Sequence, residues 1–361
     1  MKRTISIVTA LLFGILGFFQ TTDIEDVYNK GDIMGLSNTI SIVNRAIPDF
    51  SVDEKGDFTV LQVTDTHLMN GLAINDTRTL LSIEEEIDTY APDLVVASGD
   101  MVEGNNKSDS YHKLSALRSL AMVFEKKQQY WAYVPGNNDG EMLGTAADVA
   151  AMLSQYDYCI VANEEGLSGA TQYSIDLKNA ANKTVHSLVF LDSLGRDEQR
   201  SLICFQDDQV AWLAEILAAK KALNPGIKVS VFFHVNTPAF KEAGELGVPY
   251  RIGYKPIPLG SLENAEGNAP ADSVMQNSAC VSLVSIGHLH PSSNRCNYYN
   301  GTYYHVTRAS GYDPSKKPGC TLITIHTAAG STRCMYNFRE ITFKYTFCHV
   351  LFSGVVSRII N

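Results

Sequence analysis

Five short polar groups in this chain carry residues able to ligate a metal ion, and each stands directly after an apolar run. Asp65-Thr66-His67 follows the β-branched run 58–63, and Gly99-Asp100 follows 94–97. Gly136-Asn137-Asn138-Asp139 follows 130–134, His234 follows 231–233, and Gly287-His288-Leu289-His290 follows 281–286. On an extended chain the side chains of Asp65 and His67, two residues apart, would point the same way and reach one ion. Gly99 would let the backbone turn tightly beside them. Any one of these groups alone reads as a strand-end cap or a solvated loop. Five together, each beyond the carboxyl end of an apolar strand, would converge on one crevice of an open α/β sheet. Carboxylate, imidazole and carboxamide donors in such a mixture suit Mn, Zn or Fe, and a thiolate-poor set does not suit a structural zinc.

The elements that must position these groups alternate along the chain. Runs 58–63, 94–97 and 130–134 read as strands separated by helices over 77–90 and 110–127, which predicts βαβ units and a largely parallel, buried sheet. Further strands are expected over 172–177, 186–192, 228–233, 281–286, 302–307 and 320–325, with a helix over 206–223. Two sheets covered by helices would form an α/β sandwich in one domain over 58–340. Residues 21–57 read as a lead-in segment. Residues 244–269, rich in Gly and Pro, read as a long surface loop beside the site. The tail 341–361 is apolar but broken by Lys344, His349 and Arg358, which favours a terminal strand over a membrane span.

Bulk properties narrow the partners. The chain has 361 residues, 45% of them hydrophobic and 19% charged, enough to bury a substantial core. A net charge of -10 supplies no basic field to draw in nucleic acid, so none is expected as a partner. Cations inside the protein would offset part of that charge, so the acidic balance is compatible with a small phosphorylated substrate held by metals; a phosphoprotein is the other partner expected. Lys2 and Arg3 precede an apolar run over 5–19, which has the length of a signal-peptide core and is short for a membrane span. Residues 1–20 are therefore expected to be a signal peptide, making the protein secreted or lumenal; the alternative is a membrane anchor over 4–19. Sequons at Asn75, Asn106, Asn182 and Asn300 fit a glycoprotein of that compartment. Seven scattered cysteines form no CxxC pair; some could join within 296–334, and the odd number leaves a thiol over.

The order D-x-H, G-D, G-N-x-D, H and G-H-x-H resembles the calcineurin-like metallophosphoesterase superfamily. Around it, Leu191-Asp192-Ser193, Gln209-Val210-Ala211-Trp212, Phe232-Phe233-His234-Val235 and Arg308-Ala309-Ser310-Gly311-Tyr312 are similar to the purple-acid-phosphatase-like branch. The resemblance covers 58–340. It implies a four-layer α/β/β/α sandwich of two mixed sheets flanked by helices, and a phosphoric ester hydrolase with two divalent metal ions. By position, Asp65, His67 and His290 would hold the first ion, Asn137, His234 and His288 the second, and Asp100 would bridge them. Such a pair would bind phosphoryl oxygens and activate water for in-line attack.

Two departures from the family pattern stand out. The family's G-N-H-D histidine is replaced by Asn138, whose carboxamide donates a hydrogen bond but cannot protonate a leaving group. Asp139, which would orient that histidine, is then expected to lose its partner. His112, His186 or His305 could substitute, substrates with good leaving groups could need no acid, or the chain could be a catalytically weakened, metal-binding relative with an interaction or phosphate-sensing role. The tyrosine that purple acid phosphatases place three residues after the bridging aspartate is here Glu103, which removes the phenolate that would hold a ferric ion and favours Mn, Zn or mixed divalent ions. Glu103 and Glu141 read as solvated carboxylates. Tyr303, Tyr304 and His305 read as core, and Arg308 either faces phosphate or joins an ion pair.

Overall fold

Neighbouring residues of the central strands belong to different cores, and that alternation defines the layers. The computed structural model describes residues 42–43, 45–104, 110–141, 145–251, 254–312, 317–328 and 335–343, with the side chains of 110–112 outside the description. Residues 1–20, most of the lead-in segment, Asn106, Cys334 and the tail beyond 343 therefore lie outside the described residues.

One sheet runs in the order β14-β13-β2-β3-β4-β5. Its strands are β2 (Asp57–Val63), β3 (Leu94–Ser98), β4 (Trp131–Val134), β5 (Cys159–Ile160), β13 (Gly319–His326) and β14 (Tyr336–Thr342). From β2 to β5 the pairing is parallel, while β13 is antiparallel to both β2 and β14. The other sheet runs β1-β6-β7-β8-β10-β12-β11-β9. It comprises β1 (Phe50–Ser51), β6 (Gln172–Lys178), β7 (Thr184–Leu191), β8 (Lys228–Phe232), β9 (Val248–Pro249), β10 (Val281–Ile286), β11 (Arg295–Tyr299) and β12 (Thr302–Val306). Its centre, β7 through β12, is parallel, and β6 and β11 pair antiparallel to their inner neighbours. Both sheets are thus mixed, as the resemblance implies, and the largely parallel pairing read from the strand–helix alternation holds for their centres.

Val60, Leu94, Val96 and Ala132 of the first sheet meet Leu188, Phe190, Phe232 and Leu283 of the second in the middle core. Their chain neighbours Leu61, Val95 and Trp131 turn outward against Ile83, Leu117, Leu120 and Phe124. These last belong to α1 (Ile74–Tyr90) and α2 (Ser110–Lys126). On the far side Val189, Val231 and Val284 pack against Trp212, Leu213, Phe240 and Met275. These are carried by α4 (Asp207–Leu223), α5 (Pro238–Leu246) and α6 (Ala269–Ser278). With α3 (Ala146–Leu153) beside the first sheet, the order is helix, sheet, sheet, helix. A strand buried on both faces yields this period-two division between cores. It is the expected four-layer sandwich.

The reading of 244–269 as one surface loop is corrected in part. α5 runs into it, and short 3-10 turns lie at Leu259–Ser261 and Glu266–Asn268. Thr237 at the N-cap and Pro238 in the first turn start α5, the placement a proline tolerates best. Among the described residues no helix is long and apolar enough to cross a membrane. The five described cysteines, Cys159, Cys204, Cys280, Cys296 and Cys320, are all free thiols, so Cys296 and Cys320 are not joined to each other.

Asp272 of α6 holds the start of α5, accepting from Thr237 Oγ1 at 2.6 Å and Ala239 N at 2.8 Å. Burial pushes its carboxyl from 3.8 up to about 7. The folded state then keeps a proton that the unfolded chain has lost. This contribution is full below pH 3.8 and is lost as pH rises through about 7, at up to about 1.4 kcal/mol per pH unit. The ion-free protein is expected to melt lower at about pH 7.5 than at about pH 5, and Asp272→Asn to flatten that fall, measured by calorimetry at constant ionic strength. An unchanged slope in the variant would assign the titration to another group.

Candidate metal centre

All five polar groups leave the carboxyl ends of strands at the same end of the sandwich. Asp65 and His67 follow β2, Asp100 follows β3 and Asn137 follows β4 in one sheet; His234 follows β8 and His288 and His290 follow β10 in the other. The backbone there is not extended. Asp65, His67, Asp100, His288 and His290 have φ of 50°, 44°, 53°, 66° and 42°, all in the left-handed region. Asp65 and His67 therefore converge through two strained turns rather than through strand alternation. Such conformations cost on the order of 1–3 kcal/mol each and persist only where the surroundings over-determine them. Here Asp65 N donates to Gly99 O at 2.9 Å, His67 N to Asp100 O at 3.1 Å and Leu68 N to Met101 O at 3.0 Å, lacing two site loops together. Gly99, at φ 93°, meets the tight-turn expectation, and a Cβ on it would lie 2.6 Å from His234 Nδ1.

The side chains gather into two donor groups sharing one residue. Donor atoms of Asp65, His67, Asp100 and His290 lie within 4.8 Å of one another, as do those of Asp100, His234 and His288. His290 Nε2 is 2.8 Å from Asp65 Oδ1 and 3.0 Å from His67 Nε2. His234 Nε2 is 3.2 Å from Asp100 Oδ2, while its Nδ1 donates to Ser98 O at 2.8 Å. Two buried atoms here make no hydrogen bond: Asn137 Oδ1, and His234 Nε2, whose closest contact is the ion pair with Asp100. Buried polar atoms are rarely left unpaired, so both fit a site for a cation. Donors of oxygen and imidazole nitrogen without thiolate suit Mn, Zn or Fe.

Electrostatics point the same way. Burial alone would push His67 and His234 down. Hydrogen bonds that His67 donates to Asp65 and Glu103 outweigh it there, holding His67 at about 10. The Asp100 charge does so at His234, holding it at about 9. Burial would raise Asp65 and Asp100, but the charges of His290 and His234 hold Asp65 well below the carboxylate range and that of His234 lowers Asp100. Protons thus neutralise the centre when no cation does, and a bound ion would displace them.

The neighbouring residues depart from several expectations. Asp139 has no histidine to orient but is not left unpaired: it accepts from Met101 N at 2.7 Å, Gly136 N at 2.9 Å, Tyr133 Oη at 3.1 Å and Val102 N at 3.2 Å. It is a buried clamp between two site loops. Asn138 donates through N to Asp100 Oδ1 and through Nδ2 to Asp100 Oδ2, both at 2.8 Å. His186 and His305 lie inside the sandwich on Ser230 and Ser285 at 2.9 and 2.8 Å, where burial lowers each to about 3. Neither replaces the missing histidine, and the His112 side chain is outside the described residues. Glu103 is not simply solvated, with Oε2 3.4 Å from His67 Nδ1. Nor is Glu141, which pairs with Arg200 Nη1 at 3.0 Å. Arg308 takes the ion-pair reading, on Glu340 at 2.8 Å, and Tyr303 and Tyr304 are core.

Sequence reasoning missed Glu263, whose Oε1 is 2.9 Å from His288 Nε2 and 2.5 Å from Arg196 Nη2. A single glutamate in a Gly- and Pro-rich stretch carries no pattern that would mark it. The loop beside the site was legible; the residue it delivers was not.

A family model described as calcineurin-like phosphoesterase matches residues 58–292. Two relatives from Arabidopsis thaliana share sequence. "Probable inactive purple acid phosphatase 28" is 22% identical over 307 residues, covering 73% of this chain and 73% of its own. "Probable inactive purple acid phosphatase 29" is 28% identical over 169 residues, covering 40% of this chain and 42% of its own. A dimetal phosphatase from Danio rerio superposes with a TM-score of 0.47 at 16% identity, covering 80% of this chain and 99% of that one.

Proposed function

Because the chain belongs to the calcineurin-like phosphoesterase family, we propose that it hydrolyses small phosphoric esters at a centre of two divalent ions. The observation that carries this reading is the Asp100 carboxylate shared by two donor groups, with the unpartnered buried Asn137 Oδ1 beside it. Asp65, His67 and His290 would hold one ion, Asn137, His234 and His288 the other, and Asp100 both. Bound there, the ions would supply charge compensation for phosphoryl oxygens and an activated water.

The chain's own residues do the positioning. Ser98 O fixes the His234 ring so that Nε2 faces the centre, and Asp139 binds the loops bearing Asp100 and Asn137 to each other. Asn138 has a second amide hydrogen beyond the one spent on Asp100, which can reach a phosphoryl oxygen. It has no proton to give an alkoxide. Esters with good leaving groups are therefore the better substrates. Glu103, in place of a phenolate, favours Mn or Zn over a ferric ion.

A second reading, ion binding without appreciable turnover, is favoured by Asn138 and by the word inactive in the names of the two Arabidopsis relatives. Assays on p-nitrophenyl phosphate, bis-p-nitrophenyl phosphate and an alkyl monoester, with Mn or Zn restored, separate the two. The aryl monoester is expected to turn over in a metal-dependent way and the alkyl ester more slowly. No metal-dependent rate above that of His234→Ala would leave the binding reading standing and remove the hydrolase.

A further inference from the structure

The Glu263 carboxylate is held on His288 from three directions. Its main chain is clasped by the buried Asn236, which accepts from Glu263 N and donates through Nδ2 to Glu263 O, each at 3.1 Å. Asn236 lies two residues beyond His234, so the clasp ties this loop to the neighbouring donor. Arg196 Nη2 donates to Glu263 Oε1 at 2.5 Å, and the Arg196 Nη1 donates to Arg200 O at 3.1 Å within its own turn. The third direction is His288 itself, its Nε2 2.9 Å from the same Oε1.

An ionised carboxylate only accepts, so the His288 nitrogen facing it must be the one carrying hydrogen. A neutral imidazole with hydrogen on Nε2 has its lone pair on Nδ1. His234 presents the opposite arrangement, with Nδ1 donating to Ser98 O and Nε2 facing Asp100. The two rings of one donor group are thus set to opposite tautomers by different partners, one a main-chain carbonyl and one a distant side chain.

We propose that Glu263 is a positioning residue for His288, fixing its tautomer and ring orientation so that Nδ1 is the nitrogen offered to the second ion. This rests on the two-ion reading above. An ion held partly through His288 then depends on a loop residue that does not itself reach the ion. Removing such a partner typically costs about 10–100-fold in metal affinity.

The test is titration of Mn(II) into the ion-free full-length protein by calorimetry, with bound metal counted by elemental analysis. Wild type is expected to take two ions. Glu263→Ala should weaken the second by about 10–100-fold and leave the first unchanged. Glu263→Asp, one methylene too short to reach Nε2, should do the same while keeping the charge. Glu263→Gln, whose carbonyl still accepts from Nε2, should stay close to wild type. Full second-ion affinity in Glu263→Ala, or in Glu263→Asp should the alanine variant not fold, overturns the proposal. So does a loss in Glu263→Gln equal to that in Glu263→Asp. Wild type that binds one ion only overturns the two-ion reading and this inference with it.

Discussion

Asp100→Asn is expected to lower kcat/KM for p-nitrophenyl phosphate by at least about 10³-fold, the equivalent of roughly 4 kcal/mol of lost transition-state stabilisation. Asp100 is the one residue in both donor groups, so the substitution removes charge from two ion sites at once. Its amide would also turn a donor toward His234 Nε2, now 3.2 Å from Asp100 Oδ2, and occupy the lone pair that an ion needs. The near-isosteric amide still accepts from Asn138 N through its oxygen, so the fold should be kept. Thermal unfolding separates loss of ions from loss of structure. Wild type should gain about 2.7 kcal/mol of stability from Mn at 100 times its dissociation constant, and the variant should gain little. A variant that keeps both its rate within about tenfold of wild type and its full stabilisation by Mn would show that no shared ligand stands at this position.

The positions of the donors were legible because each follows a run of apolar residues that can only be a buried strand. What positions them was not. Five of those donors sit at left-handed φ, a feature set by hydrogen bonds between loops such as His67 N to Asp100 O, and no residue pattern encodes those pairings. The layer order came from the family resemblance; Val60 beside Leu61, both apolar, marks locally only a strand covered on both faces. The mixed character of the sheets came from the family resemblance and not from any local pattern. β13 joins β2 antiparallel, pairing Ile323 with Val60 across most of the chain, and a local signal cannot report a contact that distant. Edge strands β1 and β9, two residues each, have no periodicity to detect. The histidines show the limit of residue type. His186 and His305 carry the same imidazole as His234, yet each ends on a serine between the sheets, because it lies within its strand rather than beyond the strand's end.

Asn138→His is expected to raise turnover of an alkyl phosphomonoester by about 10²-fold or more, and of p-nitrophenyl phosphate by far less. General acid catalysis helps in proportion to how poor the leaving group is, and an alkoxide leaves badly without a proton while nitrophenolate does not. Asn138 Oδ1 and Glu141 Oε2 lie against Gly104, where a Cβ would come within 2.5 Å and 2.9 Å of them. A residue larger than glycine at 104 would crowd position 138, and the Glu141 carboxylate close by is the acceptor offered to an introduced imidazole. Asp139 cannot serve that purpose, since four donors already surround it. The substitution also removes the amide that now donates to Asp100 Oδ2, returning that oxygen to the ions. Rates on both esters, measured across the acidic to neutral range with metal at saturation, give the result. A selective gain on the alkyl ester means that the missing acid limits the natural chain. An equal change on both esters, or none, means that proton delivery does not limit it, and that Asn138 stands there without loss to the proposed hydrolysis.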